Sequence, residues 1–236
     1  MALAAVAALA GGGILAFAPD LVRPPVAEAQ YASMQAQVPP RRIIIGLDLS
    51  KSNPLIAEPE FAAKVAQRVA DEVRGLGFAS EVHIRTFGSF DASANNFHYD
   101  VQISIRERPE AVAADVERLI AGTPLLVARG RWQAQNWTNI LAFLENMSAS
   151  IGCGGMPTTI ILASDGIEDS QYARLDYASS HLPPPEQPEF NGCSELEILG
   201  IGQGTRSPIK TERLRMEWTR WAQEAGFQRF SGLNDW

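Results

Sequence analysis

The chain has 236 residues, 46% of them hydrophobic, and carries 20 basic against 27 acidic side chains for a net charge of -7. That length buries one substantial core. No basic stripe could neutralise a phosphate backbone, so nucleic acid is not an expected partner, and the acidic balance serves solubility.

Residues 1–18, "MALAAVAALAGGGILAFA", are apolar without one charge, and the stretch that follows is rich in Pro, Ala and Gln. We expect residues 1–29 to be a signal peptide or N-terminal membrane anchor, with Ala27-Glu28-Ala29 as a small-x-small cleavage site. No Lys or Arg precedes the apolar run, and the triple glycine 11–13 weakens any helix there. Residues 30–41 then read as a linker and 42–236 as one domain. The expected location is exported: periplasmic, extracellular or membrane-anchored.

Past the linker, "RIIIGLDL" is a continuous apolar run bounded by turn residues, as in a strand buried on both faces of a parallel sheet. Phe61, Val65, Val69 and Val73 recur four apart behind Pro59, which predicts an amphipathic helix ending at Gly75 or Gly77. "EVHIRTFG" and "FHYDVQISI" alternate as strands around a turn-rich loop and suit an antiparallel hairpin at the sheet's edge. "RPEAVAADVERLIAG" predicts a second helix, and "WTNILAFLENMSASI" a third, facing inward with Ile140, Leu141, Leu144 and Met147. "TTIILASDG" and "ELEILGIG" are strands. "SPIKTERLRMEWTRWAQEAG" is a helix capped by Ser207, with Leu214, Met216, Trp218 and Trp221 as core contacts, and "FQRFSG" a last short strand. "GIGQGT" at 200–205 is a strand-to-helix turn, since no helix begins at its third glycine. Alternating strands and helices predict an α/β fold: a doubly wound, mostly parallel central sheet with one antiparallel edge strand and helices on both faces.

In such sheets ligands bind beyond the carboxyl ends of the central strands. Asp48, Ser50 and Ser52 fall just past the first strand, Ser164 and Asp165 just past "TTIILA", and Thr138 at the start of the third helix. Two carboxylates and three hydroxyls on separate loops are hard oxygen ligands that suit Mg²⁺ or Mn²⁺ rather than zinc or copper. Taken one at a time, the same residues also serve as an Asx turn, a helix cap and an ordinary Asp-Gly turn. His83, His98 and His181 are too scattered to form a metal cluster.

The combination of "DLSKS", Thr138 opening a mid-chain helix and "ILASDGIED" after the fourth strand resembles the von Willebrand factor type A domain with a complete metal-ion-dependent adhesion site. The resemblance covers roughly residues 42 to 232. It implies a divalent cation held by Ser50, Ser52 and Thr138 with Asp48 and Asp165, and a protein ligand whose acidic side chain completes the coordination. Trp137 stands where the family usually has a small residue, and Lys51 adds a cation inside the triplet. Exposed, Trp137 would serve as a binding anchor.

Cys153 and Cys193 precede two strands expected to be neighbours, about 4.8 Å apart, which predicts a disulfide and agrees with export. Two other functions stay open at this stage: a Mg²⁺-dependent phosphoryl or ester hydrolase, and a structural subunit of an envelope assembly. No nucleophile or general base with an orienting partner stands beside the expected metal, and the position two after Asp48 is Ser50 rather than a second acid, so an enzyme is the weaker reading.

Overall fold

Three successive isoleucines make β1 (Arg42–Asp48) the centre of the sheet, paired in parallel with β2 (Glu81–Phe87) on one side and β4 (Thr158–Ala163) on the other. This computed structural model describes residues 38–89, 97–205 and 207–236. The leader expected over 1–29 and most of the linker lie outside the described residues. Among the described residues the sheet has six strands, in the order β3-β2-β1-β4-β5-β6. β5 (Cys193–Leu199) and β6 (Phe230–Leu233) continue it in parallel, while β3 (His98–Gln102) is antiparallel to β2 at the far edge.

The alternation along β1 explains why both its faces read as apolar. Ile43, Ile45 and Leu47 pack with the buried stripes of α1 (Pro59–Arg74) and α2 (Pro109–Ala121). Ile44 packs on the opposite face with α4 (Ile140–Ser150) and α5 (Pro208–Glu224). Phe61, Val65, Val69 and Val73 are all buried, as their spacing predicts, and so are Ile140, Leu141, Leu144 and Met147. Gly46 shares the Ile44 face, where a Cβ would come within 2.8 Å of Leu162 Cδ2 and of the Phe143 ring. That close approach explains a glycine inside the central strand. Gly46→Ala is therefore expected to lower stability by about 1–3 kcal/mol through overpacking, read as a lower urea midpoint at unchanged slope.

Several elements differ from the sequence expectation. β3 stops at Gln102, although Ile103 still bonds across to Ser80 and Ala79 (2.8 and 2.9 Å). A short helix, α3 (Thr123–Ala128), follows α2 directly, with Gly122 ending one and capping the other. The β4–β5 connection, 164–192, contains no helix, so strand and helix do not alternate there. Met216 is 58% exposed, whereas Leu214, Trp218 and Trp221 are buried. Residue 216 lies two positions, or about 200°, from Trp218 around the helix and so faces away from the core.

Cys153 and Cys193 are disulfide-bonded, with Cα atoms 5.0 Å apart. The bond sits at the amino ends of β4 and β5, opposite the carboxyl rim. Such a bond fits an exported protein. Among the described residues no helix is long and apolar enough to cross a membrane.

Candidate metal centre

β1 and β4 run in register, Leu47 beside Ala163, so the residues that follow emerge side by side at the point where the strand order reverses. The Ser164 hydroxyl donates to Asp48 Oδ2 at 2.7 Å, joining the first and third loops. Ser50 N donates to Asp48 Oδ1 at 2.8 Å, so the self-capping turn allowed by the sequence does form. It uses one carboxylate oxygen and coexists with the larger cluster. Ser50 Oγ and Ser52 Oγ lie 3.4 Å apart.

Asn53 fixes this corner from beneath: its buried Nδ2 donates to the carbonyls of Asp48 (2.8 Å) and Ala163 (2.9 Å). The second loop is laced to the first by Gln135 N to Leu49 O (2.8 Å) and Lys51 N to Gln135 O (2.9 Å). The third is laced to the second by Thr138 N to Asp169 O (3.2 Å) and Asp169 N to Thr138 O (2.9 Å). Each pair of loops is thus directly bonded. Thr138 is buried and lies two residues before α4, whose cap is Asn139, accepting from Ala142 N at 3.1 Å. The expectation that Thr138 opens the helix is corrected by that margin, and its hydroxyl is not needed as the cap.

Asp165 is 1% exposed. Its Oδ1 accepts from Ile167 N at 2.9 Å, while Oδ2 is buried with no hydrogen-bond partner. Its main chain is held by Gly202 N, which donates to Asp165 O at 2.8 Å, so "GIGQGT" is indeed a turn and one that steadies the site. Gly166 follows at φ +72°, a left-handed conformation that favours glycine, and Trp218 Nε1 donates to its carbonyl at 2.8 Å.

The electrostatics follow from burial. Desolvation, and then the charge of Asp165, push the Asp48 carboxyl up, against the hydrogen bonds from Ser164 and Ser50. Desolvation likewise raises Asp165, offset in part by the Ile167 amide, the Ser52 hydroxyl and Lys210. Two buried carboxylates with a bare oxygen and neighbouring hydroxyls are costly to ionise without a cation. The donor set therefore fits a hard divalent ion: Asp48, Ser50, Ser52, Thr138 and Asp165 would hold Mg²⁺ or Mn²⁺. Among the described residues no group of three or more His, Cys, Asp or Glu side chains is placed to hold a metal, so a cation here would rest largely on hydroxyls. His83 instead bonds Asp100 and His181 bonds Glu217, both at 2.6 Å.

Around the rim, Lys51 and Trp137 are exposed, Trp137 at 49%. Trp137 lines a cavity of about 690 Å³ with Gln135, Asn136, Gln171 and Arg174. Nothing in the sequence marks Asn53 or Glu168 as part of the site. A single Asn in a turn and a single Glu in a loop carry no signal of burial, yet both are fully or almost fully buried.

No family model matches the chain, and no curated protein was found similar to it. Among solved structures it is similar to the pilus adhesin SpaC from Lactobacillus rhamnosus GG, at 14% identity and a TM-score of 0.45. The match covers 85% of this chain and 29% of the adhesin, so the chain spans less than a third of that protein's length.

Proposed function

We propose that the protein is an exported, cation-dependent protein-binding module of the von Willebrand factor type A kind, not an enzyme, working in the periplasm, outside the cell or from a membrane anchor. The observation that carries the reading is the buried, partnerless Asp165 Oδ2 in a rim where three loops are bonded to one another. Mg²⁺ or Mn²⁺ held by Asp48, Ser50, Ser52, Thr138 and Asp165 would supply a Lewis-acidic attraction for a further anionic oxygen, here an acidic side chain of a protein partner. The chain's own part is to bring Asp48 and Asp165 together out of water, so that their charges balance the cation, and to add hydroxyls that leave it able to attract one more anion. Trp137 beside Thr138 offers the partner an apolar contact.

Calorimetric titration with Mn²⁺ and Mg²⁺ tests this. The wild type is expected to give a saturable heat that disappears in Asp165→Ala, with the fold retained by circular dichroism. A wild type without saturable heat ends the reading. Metal-dependent hydrolysis of a generic phosphate ester, lost in Asp48→Ala, would replace it with a hydrolase.

A further inference from the structure

Glu168 is 0% exposed, and it belongs to none of the candidate ligands. Its Oε2 accepts from the amides of Ile140 (2.8 Å) and Leu141 (3.2 Å), the first two residues of α4. Its Oε1 accepts from the Ser170 hydroxyl, and its carbonyl accepts from Leu175 N at 2.8 Å. The first amides of a helix have no partner within the helix and must be satisfied from outside. In α4 the cap Asn139 takes one, and Glu168 takes two from a different loop.

The consequence is positional. Asp165 lies three residues before Glu168, and Thr138 two before Ile140. The next residue, Asp169, exchanges both backbone bonds with Thr138. Glu168 therefore fastens the start of α4 to the third loop within three residues, along each segment, of the candidate ligand that the segment presents. From this we infer that Glu168 is a positioning residue for the cation site: its reach sets the placement of Thr138 relative to Asp165, although it does not touch the ion. The inference rests on the cation-binding reading above.

Reach and charge are separable. Glu168→Gln keeps the length and leaves one oxygen able to accept both amides, while its amide donates to Ser170. Glu168→Asp keeps the charge and falls one methylene short. Mg²⁺ titrated into the 236-residue chain by calorimetry is expected to bind about 10–100-fold more weakly in Glu168→Asp, the range for residues that orient metal ligands, and less than about tenfold more weakly in Glu168→Gln. Val69→Ala, on the opposite face of the sheet, controls for lost stability and is expected to bind Mg²⁺ as the wild type does. Should Glu168→Asp fail to fold, Ser170→Ala, which frees Oε1 and the Tyr172 amide but leaves Oε2 on Ile140 and Leu141, is expected to weaken Mg²⁺ in the same direction. Wild-type affinity in Glu168→Asp or Ser170→Ala, greater loss in Glu168→Gln than in Glu168→Asp, or equal loss in Val69→Ala overturns the inference and leaves the site itself standing. A wild type that binds no Mg²⁺ removes the cation reading and the inference with it.

Discussion

Freed of divalent ions by a chelator, the protein is expected to lose thermal stability between about pH 5 and pH 8, and to recover it when Mg²⁺ is added at the upper end. Burial raises the Asp48 carboxyl from 3.8 to about 7, and Glu168, also by burial, from 4.5 to about 7; Asp165 moves in the same direction. A carboxyl raised on folding binds more protons in the native than in the unfolded state between those two values. The sign follows: stability is fully present below the unfolded values and is lost as pH rises through the folded ones. At about 1.4 kcal/mol per tenfold change in proton affinity, these groups together make a loss of several kcal/mol. Glu81 and Glu217 are held low, against desolvation, chiefly by Arg42 and His181, and so act on the acid side of this window. A cation needs the carboxylates ionised, so the melting shift from Mg²⁺ should be larger near pH 8 than near pH 5. Asp48→Asn, which can still accept from Ser50 N and donate to Ser164, should raise the metal-free melting temperature near pH 8 and abolish the Mg²⁺ shift. A metal-free protein whose melting temperature is flat or rises over this range would contradict the charge balance assigned to the rim.

The second large effect belongs to the other end of the sheet. The disulfide closes a loop with a sequence separation of 40, and both its cysteines are buried. On the loop-entropy account that closure contributes about 4 kcal/mol. Replacing both cysteines by serine should lower the melting temperature by about 8–16 °C for a protein of this size, and a reducing agent should do the same to the wild type. Equal melting with and without reductant would show that the 164–192 connection is held by its other bonds. These include Phe190 N to Ala225 O at 2.9 Å and the Glu217 side chain, which accepts from Leu182 N at 3.2 Å.

How much of this was readable beforehand depended on whether a residue's role is periodic. β1 was legible because a strand buried on both faces must be apolar throughout. α1 was legible because one helical face repeats every three to four positions. The antiparallel edge and both cysteines followed from element order and strand spacing. α3 was not legible: six residues beginning Thr123-Pro124 are too short to show a period, and Gly122 had already ended the preceding helix. At the site, Asp48, Ser50, Ser52, Thr138 and Asp165 stood out as oxygen-bearing residues at strand and helix ends. Asn53 and Glu168 did not, because their roles depend on partners 110 and 28 positions away along the chain. A buried Glu is uncommon, and only the fold supplies the unpaired helix amides that make its burial tolerable.

Arg42 begins β1 at the pole where Cys153 and Cys193 are joined, and its guanidinium bonds the carbonyls of Gly152 and Gly154 (3.1 and 3.2 Å). The strand then crosses the whole sheet before delivering Asp48. The molecule thus has a back and a front. The disulfide and the start of β1 lie at the back, and the rim with Asp48 and Trp137 lies at the front.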